Sequence, residues 1–146
     1  MLDGLARRLI DPTLDRLGAG FAARGWTADG VTIAGLGLGL AAAAAVAAGK
    51  DAAALLFFLL GRFCDGLDGA IARATRKSDR GGFLDIVCDF VIYGAIPLAF
   101  AVRDPAGNAL AACALLFAFY VNGATFLAFA AVAAKRGMDS VARGVK

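Results

Sequence analysis

The residues with the greatest chemical reach in this chain are four aspartates in the stretch GRFCDGLDGAIARATRKSDRGGFLDIVCD, residues 61–89. Asp65, Asp68, Asp85 and Asp89 lie in or beside runs otherwise apolar enough to cross a membrane. A carboxylate in hydrocarbon costs on the order of 2.5–3.5 kcal/mol even on the mild insertion scale, and four crowded together also repel one another. Protonation, pairing with Arg62 and Arg73, or a bound divalent cation would relieve that cost. Arginine pairing leaves two carboxylates unmatched, and protonating several leaves a polar pocket without an evident purpose. Oxygen-only ligands without histidine or cysteine suit a hard ion, Mg²⁺ or Mn²⁺. The alternative is a purely structural ion-pair network.

Helical positions three and four apart share a face. Asp65, Asp68 and Ala72 form one stripe, and Gly81, Asp85, Asp89 and Tyr93 form another on the next helix. The loop between them is short, so the two helices are expected to be antiparallel neighbours. At 1.5 Å rise per residue, all four carboxylates fall within roughly two or three turns of one membrane boundary. Gly61, Gly66, Gly69, Ala70, Ala72, Gly81 and Gly82 surround them. Small residues permit tight helix packing, and beside carboxylates they also leave room for a ligand. Gly35 and Gly39 in the first span read as packing residues alone. Arg73, at the mouth, supplies a cation suited to phosphate oxygens.

The elements that must position these groups follow from composition. The 146 residues are 60% hydrophobic and 18% charged, with mean hydropathy +0.73, against roughly 45–50% apolar in a soluble domain. Four apolar segments, at about 31–49, 52–74, 82–102 and 106–134, approach or exceed the ~20 residues that cross a bilayer as helix. The fourth is long enough to tilt or to lose a turn at Gly123. Within residues 1–25, Leu2, Leu5, Leu9 and Ile10 fall near one helical face, and Leu14, Leu17 and Phe21 continue it beyond Pro12. That pattern reads as an amphipathic helix on the membrane surface. It is not a secretory signal, since no apolar core precedes a small-residue cleavage site. The expected fold class is all-α, a polytopic membrane helical bundle of about four transmembrane helices preceded by an amphipathic surface helix. Residues 1–146 form a single membrane-embedded domain, with residues 31–134 as its transmembrane part.

Twelve basic residues flank the spans on one side: Arg7, Arg8, Arg16, Arg24, Arg73, Arg76, Lys77, Arg80, Lys135, Arg136, Arg143 and Lys146. The opposite loops carry Lys50 and Arg103. This bias predicts cytoplasmic termini, a cytoplasmic ATRKSDR loop and an acidic site on the same side. With no histidine in the chain, histidine catalysis and histidine metal ligation are excluded. Cys64, Cys88 and Cys113 are widely spaced in apolar runs and read as small buried hydrophobes. A net charge of +3 without aromatic interleaving argues against nucleic-acid binding.

Written out, the acidic stretch is Asp65-x-x-Asp68-Gly69-x-x-Ala72-Arg73, seven residues, then Gly81-x-x-x-Asp85-x-x-x-Asp89. This closely resembles the signature of the CDP-alcohol phosphatidyltransferases, integral membrane enzymes of phospholipid synthesis. The resemblance implies transfer of a phosphatidyl-type group from a CDP-alcohol, often CDP-diacylglycerol, to a hydroxyl acceptor, with loss of CMP and dependence on one or two Mg²⁺ ions. Carried over by position, Asp65, Asp68 and Asp85 resemble metal ligands, and Asp89 a further ligand and the base for the acceptor hydroxyl. Gly69, Ala72, Arg73 and Gly81 resemble the positions that accommodate the CDP moiety. A bacterial inner membrane is the implied location, and a homodimer is a further analogy.

Two departures qualify the resemblance. Family members often carry a Thr-Pro-Asn-x-x-Thr-like element before the first span, where this chain reads TADGVT. Asp29 and Thr32 are thus candidates for nucleotide contact, with helix capping by Asp29 as the competing reading. The family usually has six spans and this chain stops at Lys146 after four, which implies C-terminal truncation and raises an inactive member that keeps its metal site. Two other classes compete. Intramembrane prenyltransferases also hold a diphosphate on aspartates, but on motifs far apart in sequence. Cation transporters place polar residues along whole spans, whereas the outer halves here are Ala, Leu and Phe.

Overall fold

In lipid every backbone polar group needs an internal partner, and helix supplies one within a single segment. A computed structural model describes residues 2–137, and these form five helices with no strand among them. They are α1 (Leu2–Ala23), α2 (Ala28–Ala47), α3 (Asp51–Ala74), α4 (Asp79–Arg103) and α5 (Pro105–Lys135). The last four match the expected apolar segments closely. By length and composition α2, α4 and α5 can each cross a membrane. Helix α3 is equally long but carries Asp51, Arg62, Asp65, Asp68 and Arg73. Short loops at 48–50 and 75–78 tie it to α2 and α4, and it packs along α2.

Local chemistry sets the boundaries. Thr27, extended at φ −103°, accepts the Gly30 amide at 3.2 Å and caps α2. The cap is therefore Thr27 and not Asp29, which lies in the first turn. Ser78 accepts the Gly81 amide at 3.0 Å and caps α4. Asp104 caps α5 through the Gly107 amide at 3.0 Å, with Pro105 just inside the helix where its missing N–H costs nothing. Gly49, at φ +71°, supplies the left-handed turn between α2 and α3. Helix α5 continues through Gly123 without losing a turn. There the bare Cα admits the ring of Phe90 from α4, which a Cβ would overlap.

Helix α2 is the hub, packed on both α3 and α4, while α1 lies on α3 and α5 on α4. Small residues permit the closest approach. A Cβ on Gly35 would stand 3.2 Å from the Cβ of Cys64, and one on Gly61 would stand 3.4 Å from the Gly35 carbonyl oxygen. Two apolar clusters result. Val31, Leu67 and Ile71, with Phe21 and Cys64 against them, close the α1–α2–α3 corner. Ala43, Ala45, Val46, Ala54 and Ala99, with Phe57 and Ile96, close the opposite end. Outside them, large apolar side chains face outward, Leu110 at 85% and Phe117 at 69% exposure, as acyl chains require. The side chains of Leu2, Leu5 and Leu9, and the residues Arg143 and Lys146, lie outside what is described here.

The sequence predicts α3 and α4 as direct neighbours. Instead each packs on α2, and extensive backbone packing between them is absent among the described residues. Their charged side chains span the space between, and that space is the site.

Candidate metal and nucleotide site

Asp65 and Asp68 project from the last three turns of α3, and Asp85 and Asp89 from the first three turns of α4. All four line one narrow cavity of about 10 Å³, together with Thr32, Gly35, Arg62 and Cys88. Carboxylate oxygens of Asp65, Asp85 and Asp89 lie within 4.8 Å of one another. Opposite ligands of an octahedral magnesium ion stand about 4.2 Å apart, so a small side-chain rotation would bring the three into bonding range. With no nitrogen or sulfur donor among them, the three fit a hard divalent cation. Asp68 stands beside this trio. It is buried, 6% exposed, and its Oδ2 accepts the Thr32 hydroxyl at 2.5 Å, which also lies 3.0 Å from the Ala28 carbonyl oxygen.

Arg62 is the local counter-charge. Its Nη1 and Nη2 donate to Asp89 Oδ1 at 3.0 and 3.1 Å, and Nη1 lies 3.6 Å from Asp65 Oδ2. Tyr93 donates its hydroxyl to Asp89 Oδ2 at 3.3 Å. With all four carboxylates ionised, Arg62 alone leaves three negative charges unbalanced among the described residues that line this cavity, and a divalent cation answers that surplus. Arg73 does not join the quartet. It pairs with Asp15 of α1, Nε at 2.9 Å and Nη2 at 2.7 Å.

A second, wider cavity of about 330 Å³ opens beyond Asp68 and Asp85, which line both spaces. Asp29, Thr32, Gly69, Ala72, Arg73 and Gly81, the six positions singled out for CDP, all line it. Arg76 and Lys77 add positive charge to its rim. Glycine keeps this wall low: a Cβ on Gly81 would sit 3.1 Å from Ser78 Oγ and 3.3 Å from Asp29 Oδ1. Asp29 also pairs with Arg80 across the α2–α4 gap at 3.5 Å, an exposed contact of small energetic weight.

Three contributors were missed by reading the sequence. Asp15 lies 58 positions from Arg73, and no local pattern links them. Phe119 reaches Tyr93 only through the α4–α5 packing. The Ser78 cap did carry a signal, a serine directly before an acidic first turn.

Known proteins share this arrangement of sequence. No solved structure matches the chain. It is 45% identical over 140 residues to the inner membrane protein YnjF of Escherichia coli, covering 96% of this chain and 68% of that protein. It is 37% identical over 90 residues to an archaetidylinositol phosphate synthase of Pyrococcus horikoshii, 61% of this chain and 47% of the relative. A phosphatidylcholine synthase of Pseudomonas aeruginosa is 36% identical over 86 residues, 56% of this chain and 36% of the relative. The chain thus spans about half the length or less of the latter two. Residues 25–144, from the turn before α2 onward and including both helices that bear the carboxylates, match the CDP-alcohol phosphatidyltransferase family. The chain belongs to that family of membrane phospholipid-synthesis enzymes.

Proposed function

We propose that this chain transfers a phosphatidyl-type group from a CDP-alcohol, CDP-diacylglycerol by preference, to the hydroxyl of a second alcohol, releasing CMP. The observation that carries the reading is the adjacency of two cavities sharing Asp68 and Asp85, one lined by four carboxylates and the other by Gly69, Arg73 and Gly81. Asp65, Asp85 and Asp89, with Asp68 beside them, are the residues that would hold Mg²⁺ or Mn²⁺. Bound there, one or two such ions would neutralise the diphosphate and stabilise charge on the departing CMP.

The chain's own groups do the rest. Arg73, with Arg76 and Lys77 near it, attracts the phosphates into the wider cavity, and Asp15 holds the guanidinium there. Gly69, Ala72 and Gly81 leave space for the nucleotide, while Asp29 and Thr32 line the same wall. The acceptor oxygen forms a bond to the β-phosphorus, and the bond from that phosphorus to the CMP oxygen breaks. The acceptor's proton passes to Asp89. Arg62 limits repulsion between Asp65 and Asp89 as the substrate's charge arrives.

The charge bias of the loops supports a cytoplasmic site in an inner membrane, where the nucleotide comes from water and the lipid tails stay in the bilayer. The test is CMP release by the membrane-reconstituted protein, given labelled CDP-diacylglycerol, Mg²⁺ and a panel of alcohols. Release that requires both the metal and one alcohol is expected. Absence of CMP with every alcohol would overturn the reading in favour of an inactive member.

A further inference from the structure

Asp89 is held on both carboxylate oxygens by side chains: Arg62 on Oδ1 and the Tyr93 hydroxyl on Oδ2. A terminal carboxylate torsion has a broad energy well, so an aspartate gripped on one oxygen alone swings its second oxygen freely. The Tyr93 contact removes that freedom. At 3.3 Å it is long for a hydroxyl donor, whose bonds favour about 2.7–2.8 Å. The placement of the Tyr93 ring therefore decides whether the contact exists.

That placement comes from α5. The Tyr93 ring stacks on Phe119 with centroids 5.0 Å apart and planes 23° apart. Phe90 meets its edge at 6.0 Å, and Phe90 in turn occupies the space that Gly123 of α5 leaves open. Helix α5 lines neither the carboxylate cavity nor the nucleotide cavity, yet it fixes the ring that touches Asp89.

We infer that Tyr93 is a positioning residue for Asp89, and that α5 sets it through Phe119. The inference rests on the proposed reading of Asp89 as the group that takes the acceptor's proton. It gives that carboxylate one orientation, with Oδ1 on the arginine and Oδ2 on the Tyr93 hydroxyl.

Two measurements test it. The chain holds two tyrosines, so Tyr120→Phe leaves Tyr93 alone, and its ultraviolet resonance Raman doublet then reports the hydroxyl's hydrogen bond. Asp89→Asn and Phe119→Ala are each expected to shift that doublet. In turnover, Tyr93→Phe keeps the stacked ring and removes only the hydroxyl. Its kcat should fall about fivefold, as for one ordinary hydrogen bond, with KM for the CDP-alcohol within about twofold. The double variant Tyr93→Phe/Phe119→Ala should be no slower than Phe119→Ala alone, because both changes break one chain of contacts. A doublet unmoved by Asp89→Asn, or losses that multiply in the double variant, overturns the inference. The spectral arm needs no turnover, so a wild-type chain that releases no CMP would sink the group-transfer reading while the doublet still decides the contact.

Discussion

Asp85 and Arg62 make opposite contributions to the same cavity. Asp85 supplies oxygen to the trio and also lines the wider space. Asp85→Asn keeps size and shape but removes a charge and a strong donor. Turnover should fall by about 100-fold or more, while membrane insertion, followed by carbonate extraction, stays normal. Undiminished CMP release by this variant would end its assignment as a ligand. Arg62 competes electrostatically with any cation for Asp65 and Asp89. Arg62→Gln should therefore tighten Mn²⁺ binding, by about tenfold on the scale of a unit charge near a half-exposed site. Titration followed by electron paramagnetic resonance reads this directly, and weaker binding would show that the arginine organises the carboxylates instead of opposing the ion.

Among the elements, α1 is the one whose seat rests most visibly on a missing side chain. A Cβ on Gly18 would lie 2.6 Å from the Ala70 Cβ and 2.7 Å from the Ala70 backbone carbon, neither able to rotate away. Gly18→Ala should lift α1 from α3 at a cost of about 1–3 kcal/mol, exposing α1 to proteolysis in detergent. Gly37, with nothing within 4 Å of its ideal Cβ, is the control. Gly37→Ala should leave stability unchanged or raise it by about 0.5–1 kcal/mol. Equal protease sensitivity in the two variants would refute the close approach. The boundaries of the last four helices were readable to within a few residues because the apolar runs end at polar ones, although the caps Thr27, Ser78 and Asp104 were not picked out. The separation of α3 from α4 was not. Helical periodicity says which residues share a face, but not that a third helix with Gly35 and Gly39 takes the nearest place on both.

At the scale of the whole molecule, the acidic signature was legible from spacing alone, because two stripes on two helices leave few ways to arrange four carboxylates. What escaped was the division of labour: Asp68 paired with Thr32 beside a trio, and Arg73 turned to Asp15. Both depend on contacts between segments tens of residues apart. The loop charges predict which side of the membrane the site faces. In a chain with Cys64, Cys88 and Cys113 replaced by serine, a single cysteine at Lys77 should react with an impermeant maleimide only after the cells are opened. Labelling of intact cells would invert the topology. Pro97 lies inside α4, four residues beyond Tyr93, and a proline cannot donate to the carbonyl one turn before it. The rod is thus unlatched just past the acids. A bend of α4 is therefore expected at that joint before it is expected among the acids, so a change in bilayer thickness, at a cost of fractions of a kcal/mol per ångström, should leave the spacing of the carboxylates unchanged.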